Sequence, residues 1–186
     1  MGTIKTTNIE PIADNGTVTL GSSGDTFTVP SGVTITNNGT QTGFGGANTP
    51  YFRAHQTTSQ SVSNTTQTIV NFNTEDFDTD NNFASNRFTP TTAGKYYLSW
   101  SVGADMNSTA NTAQATLFKN GSSELARARR TFYVGGTVQN FHSSCIVTAN
   151  GSSDYFEIKF WHNQGGTITT NNEAVDTFFQ GYKIIE

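Results

Sequence analysis

The sequence is short of cysteine and of charge, and it contains no long apolar run. Cys145 stands alone among 186 residues, so no disulfide can form within the chain and stability has to come from packing or assembly. No hydrophobic stretch is long enough to cross a bilayer, and residues 1–7 lack the apolar centre of a signal peptide, so membrane insertion is not expected. Charged residues make up 13% of the chain and the formal net charge is −4. That balance argues against nucleic acid as a main partner, because phosphate binding needs a basic stripe. Ala, Leu, Glu and Lys are sparse, and no window sustains a helical apolar period.

What the chain does have is threonine, its commonest residue, with 14 Phe and 18 Gly. Thr and Phe favour strands, so the composition predicts an all-β protein whose polarity belongs to a packed surface. Asn-Gly pairs at 15, 38, 120 and 150 are turn chemistry, since both residues tolerate positive φ.

Residues 1–48 differ from the rest. Val18 and Leu20, Phe27 and Val29, then Val33 and Ile35 form three short alternating pairs separated by Gly-, Ser- and Asn-rich corners. Six apolar side chains cannot offset the ordering entropy of so long a stretch within one chain. The regular spacing therefore predicts residues 13–48 as an intertwined β stem whose apolar side chains face a shared axis, with a flexible linker as the alternative. Residues 1–12 are left as an attachment segment, and 49–186 as a separate head.

In the head, strands are predicted near 51–58, 66–72, 86–89, 94–104, 113–119, 124–132, 138–148, 155–162 and 177–185, the short regular spacing of a sandwich or jelly roll. Tyr96, Leu98, Trp100 and Val102 fall on one face against Tyr97, Ser99 and Ser101. Phe156, Ile158 and Phe160 alternate with Tyr155, Glu157 and Lys159, and Phe141, Ser143, Cys145 and Val147 make a third inward row.

Phe72, five residues, Asp78, four residues, Phe83, then Phe88, five residues and Gly94-Lys95-Tyr96-Tyr97-Leu98-Ser99-Trp100 resembles the signature of the complement globular-head family. That family shares a trimeric jelly roll with tumour necrosis factor. The chain departs from its pattern by two residues fewer before Phe88 and by Leu98 where Phe is usual. Leu117-Phe118-Lys119-Asn120-Gly121 is similar to the family's central hairpin, and Phe179-Gln180-Gly181-Tyr182 to its closing strand. The resemblance implies a jelly roll over about residues 50–186, packed around a threefold axis, with Phe72, Phe83, Phe88, Tyr96, Leu98, Trp100, Phe156, Ile158 and Phe160 as head core. Further upstream, Ile4-Lys5-Thr6-Thr7-Asn8-Ile9-Glu10-Pro11 and Leu20-Gly21-Ser22-Ser23-Gly24-Asp25-Thr26 resemble the stems of proteins placed among the virion fibres and appendages of tailed bacteriophages. That likeness implies assembly in a host cytoplasm, which suits a chain without disulfides.

Candidate chemistry is thin. His142 and Cys145 lie three apart in a predicted strand and so point to opposite faces, which rules out a dyad and leaves Cys145 a buried structural residue. His55, His142 and His162 fall on three separate strands without metal-ligand spacing. No motif nominates a carboxylate pair at glycosidase separation. No catalytic residue or cofactor is therefore expected, with calcium the one candidate ion. Asp76, Asp78 and Asp80, after Glu75, set oxygen ligands at alternate positions as calcium loops do. An EF-hand would need glycine where Asn81 stands and an acidic ligand where Arg87 stands. The stretch is either a looser calcium loop or an acidic turn in which Asp78 caps the backbone. Arg127, Arg129 and Arg130 are the basic cluster. Arg127 and Arg129 share a strand face and can grip a sulfated or phosphorylated glycan or an acidic partner, the alternative being an ordinary salt-bridged strand.

The expected protein is thus a trimeric, non-enzymatic phage structural protein on the virion surface: a fibre, tail tip or capsid-surface spike. Its N-terminus would join other virion proteins, and its heads would bind a host-surface glycan, three weak sites gaining avidity by linkage. The alternative is a capsid decoration or cement protein with a purely structural role. A surface depolymerase is a third reading, and the chain has no room for the long β-helix such enzymes normally carry.

Overall fold

The computed structural model describes residues 9, 16–39, 48–106, 111–132 and 137–185, and the chain divides into two units, Met1–Thr42 and Gly43–Glu186. In the first unit the described residues form no strand. Two turns punctuate them: Asp25 N–H donates to the Ser22 carbonyl at 3.0 Å, and Val33 N–H to the Pro30 carbonyl at 3.2 Å. Gly24 and Gly32, at φ of 93° and 83°, supply the left-handed conformation that these corners require. Phe27 is 70% exposed, Leu20 64% and Val18 41%; Val33 and Ile35 are likewise exposed, and Val29 is partly covered. Among the described residues the short strands expected here have no ladder partner, and a strand of two or three residues cannot satisfy its backbone groups alone. The attachment segment at residues 1–12 lies outside the described residues except for Ile9.

The second unit is a sandwich of antiparallel sheets, with no helix among the described residues. The five-stranded sheet runs β10 (Thr137–Ala149), β7 (Gly94–Met106), β13 (Phe178–Lys183), β1 (Tyr51–His55) and β4 (Thr74–Asp78). The opposing sheet runs β5 (Phe83–Ala84), β6 (Arg87–Phe88), β11 (Phe156–His162), β8 (Asn111–Lys119) and β9 (Ser123–Phe132), and β3 (Thr68–Ile69) also pairs with β11. A two-stranded ladder joins β12 (Ile168–Thr169) to β2 (Ser61–Val62).

Period-2 alternation sets the core between the sheets. Tyr96, Leu98, Trp100 and Val102 from β7 meet Phe156, Ile158 and Phe160 from β11, all fully buried. The Phe141 ring of β10 lies 5.1 Å from that of Phe160. Toward the β1 side, Phe52 stacks on Phe88 at 4.2 Å and meets Phe179 edge-on at 5.0 Å, and Phe72 and Phe83 join the same cluster. Each such aromatic withdrawn from water is worth roughly 1.5–3 kcal/mol. Burial, with a smaller push from Asp80, raises the Tyr96 hydroxyl to about 12, and that hydroxyl donates to the Thr92 carbonyl at 2.6 Å. Gly181 is held small by contact: a Cβ there would sit 2.4 Å from Leu98 Cδ2 and 2.7 Å from the Tyr97 carbonyl.

Three features differ from the sequence-based expectation. The acidic stretch is not only a turn, because Thr74–Asp78 is a strand, held at the sheet edge by pairing with β1. Its Asp and Glu residues disfavour strand on propensity, yet charge suits an edge strand, since it discourages pairing with further chains. Glu157, expected opposite the inward row of β11, lies there but is covered: it is 1% exposed, with Arg87 Nε 2.8 Å and Lys159 Nζ 3.3 Å from its carboxylate. Ser99 and Ser101, assigned outward, are also covered, at 3% each.

Candidate functional site

The outward face of the five-stranded sheet is built by strand register. Ile146, Tyr97, Tyr182 and Tyr51 are successive cross-strand partners on β10, β7, β13 and β1. Ile146 is 62% exposed, and Phe77 of β4 extends the row at 47%. The Tyr97 and Tyr182 rings are 5.4 Å apart, and Phe77 meets Tyr51 edge-on at 5.5 Å. These four rings line a recess of about 510 Å³ with Asn48, Phe52, Gln180 and Gly181. Two residues along the strands, the next rows are Ser144, Ser99, Gln180 and Arg53, then His142, Ser101, Phe178 and His55. A contiguous apolar row of this kind on a sheet face, beside polar rows, marks an interaction or ligand-binding surface.

The opposite outward face is polar and mostly paired. Arg87 binds Glu157 and lies over the Tyr155 ring at 4.4 Å, and Lys159 lies over Phe118 at 4.5 Å. The hydrogen bond to Glu157 holds the Arg87 guanidinium still further toward its charged form. At the turn below, Asp154 accepts from Asn120 Nδ2 at 3.0 Å and from the Asn150 N–H at 2.9 Å, with Lys119 Nζ at 2.8 Å. Lys119, then Asn120, keep its carboxyl below the usual range.

At the β9 edge of the same face, Trp161, Gln114 and Arg129 are direct cross-strand partners on β11, β8 and β9. Together with Thr65, Gln67 and Arg127 they line a recess of about 310 Å³. Arg127 is in close ion pairing with Glu124. Arg127 and Arg129 therefore share this face, whereas Arg130, paired with Ala113, falls on the other side of β9 and belongs to no common patch with them.

The acidic candidates are placed apart in function. Asp76 is paired with Arg53 and lies 3.1 Å from His55 Nδ1, while Asp78 accepts from the Phe83 N–H at 2.7 Å, a backbone cap. Asp80 lies in the turn beyond β4. Among the described residues, no three His, Cys, Asp or Glu side chains converge as a metal site would need. The histidines also stand separately: His162 is buried with Nε2 3.0 Å from the Val62 carbonyl, and exposed His142 lies 3.3 Å from Ser99 Oγ. Cys145 packs partly buried against the core, and burial pushes its thiol up and away from nucleophilic character.

The aromatic row and the company of Trp161 are not visible in single segments. Tyr97 and Tyr182 are legible as outward residues of their own strands, and Trp161 as the neighbour of inward Phe160. That each stands beside the other members of its row follows only from strand order and register.

No family model matches the chain, and no curated protein matches it in sequence. Solved structures do match in fold. Murine APRIL at pH 5.0 aligns at 13% identity over 73% of this chain and 98% of its own, with a TM-score of 0.54. A second murine APRIL structure, at pH 8.0, gives 14% identity over the same shares and 0.55. The Eiger TNF of S. frugiperda aligns at 14% identity over 73% of this chain and 93% of its own, with a TM-score of 0.51. The head of this protein is a jelly roll of the tumour-necrosis-factor kind.

Proposed function

We propose that the chain works as a homotrimeric, non-catalytic binding head on a bacteriophage virion, a fibre, tail tip or capsid-surface spike assembled in the host cytoplasm. The observation that carries the trimer is the aromatic row Tyr51, Tyr182 and Tyr97 with Phe77 and Ile146. A lone chain leaves it in water, whereas cyclic packing of three sheets around one axis covers it. The exposed Val18, Leu20, Phe27, Val33 and Ile35 add a second apolar set that one chain does not bury. Support for a virion role comes from the likeness of residues 4–11 and 20–26 to phage stems, through which the N-terminus would join other virion proteins. The heads then present their polar face outward for weak, multivalent contact with a host-surface glycan.

Light scattering on the purified protein tests the assembly: the expected mass is three times the 20.1 kDa chain. A monodisperse monomer at micromolar concentration would overturn the trimer and the display built on it. Binding to host envelopes, against binding only to shells stripped of the protein, separates a receptor-binding head from a capsid decoration protein.

A further inference from the structure

We propose that the recess around Trp161 is a subsite for an acidic saccharide, a pyranose bearing a single carboxylate, held by Arg129 and stacked on the indole. This rests on the reading of the head as a glycan-binding module and names the place and charge of its ligand. Four observations meet there. The indole of Trp161 is half-buried on the outward face of β11, flanked directly by Gln114 and Arg129 across the strands. An amphipathic ring held between amide and guanidinium donors is a common way of binding a sugar, with apolar C–H bonds on the ring and hydroxyls on the polar groups. The side chains of Gln67, Gln114, Arg129 and Trp161 have no hydrogen-bond or ion-pair partner among the described residues, so their donors are free for a ligand. The site is also held in shape, because the Thr65 N–H donates to the His162 carbonyl at 2.8 Å and fixes the loop that closes the recess beside Trp161.

Charge narrows the ligand. Arg127 is already neutralised by Glu124, whereas Arg129 carries an unpaired guanidinium, leaving the recess one net positive charge. One cation, five-donor and planar, matches the two oxygens of a uronate carboxylate, and a dianionic phosphate would leave a charge over. The opposite face of the head lacks this chemistry, since its recess is lined by aromatic rings that assembly covers.

The protein carries its own reporter. It has two tryptophans, and Trp100 is fully buried, so a ligand-dependent change in emission reports on Trp161. The experiment titrates the full chain with trigalacturonate and with a neutral trisaccharide, up to about 10 mM because single sugar sites are weak. The expected result is saturable quenching or a shift with the uronate, at least about tenfold weaker for the neutral sugar, and weakened by salt. Arg129→Ala is fully surface-placed and should cost the uronate about tenfold or more in affinity while the light-scattering mass stays unchanged. Trp161→Phe should silence the optical signal while calorimetry still detects binding. Uronate binding that survives Arg129→Ala, or a neutral sugar bound equally well, overturns this subsite and leaves the glycan-binding head standing. Failure to bind any saccharide overturns both.

Discussion

Outward of Leu98, on the five-stranded sheet, stands Tyr97 with Tyr182 and Tyr51 across the strands; outward of Phe160, on the opposing sheet, stand Trp161 and Lys159 with Gln114, Thr116 and their arginine neighbours. Both sheets contribute the same kind of residue inward, aromatic and aliphatic side chains at alternate positions. They differ only in the residues between. On the first sheet those residues leave apolar rings at the surface while small polar ones, Ser99 and Ser101, are covered. On the second, most charges are paired with each other or laid over rings, as for Arg87 on Tyr155, with Arg129 the exception. One jelly roll thus carries a face with exposed apolar rings and a face dominated by polar and charged groups, and the difference lies in about half the strand positions.

The largest expected effect comes from removing what the two sheets share. Trp100→Ala empties the middle of the sandwich and should cost about 3–5 kcal/mol in urea unfolding, enough to lose both faces together. A loss below about 1 kcal/mol would show that the two sheets do not depend on one core. Next comes the double substitution Tyr97→Glu with Tyr182→Glu. It should drop the light-scattering mass from trimer toward 20.1 kDa while the strand signal in circular dichroism persists. The comparison breaks if Arg129→Glu, on the other face, dissociates the assembly as effectively.

A smaller effect belongs to the polar face alone. Arg87→Ala leaves the Glu157 carboxylate, 1% exposed, with Lys159 as its remaining cation, and should cost about 1–3 kcal/mol without changing the mass. Arg87→Lys should recover part of that loss. Smallest is the acid response of the Asp154 turn. Lys119 and Asn120 lower its pKa from 3.8, so its contribution is present above that value and is lost as pH falls through the lower folded one. In Asp154→Asn this part of the acid dependence should vanish from the melting temperature measured between pH 5 and 2, while neutral stability falls only slightly.

Much of the head was legible because its strong segments are locally consistent. The alternation in Gly94–Met106 and Phe156–His162 is strict, and Gly94 adopts φ of 142° at the entry to its strand. Thr74–Asp78 was not legible, because its carboxylates suppress strand propensity and only pairing with β1 makes the ladder. Glu157 looked outward and is, yet whether an outward residue is solvated depends on neighbours from other strands, here Arg87, 70 residues away in the chain. The candidate site divides the same way. Arg127 and Arg129 announce themselves by type and spacing, whereas Gln67, Gln114 and Trp161 become a site only through the register that sets them beside Arg129. The stem reading marks the remaining limit, since Val18, Leu20, Phe27, Val33 and Ile35 alternate as a buried set would but stand exposed.

The position of β13 carries a consequence for biosynthesis. It fills the slot between β7 and β1, so the head's earliest strand and one of its central strands each wait for a strand made more than 70 residues after β7. A nascent chain stopped before Phe178 presents two raw strand edges beside exposed tyrosines, the combination that invites pairing with a neighbouring nascent chain. Because the contacts that close the sheet span nearly the whole head, collapse on the ribosome cannot be productive until β13 has emerged, and the high contact order places refolding in the slow, millisecond-to-second class. Polysomes making this protein should therefore be a place where chaperone occupancy peaks, and the completed strand is the event that ends it.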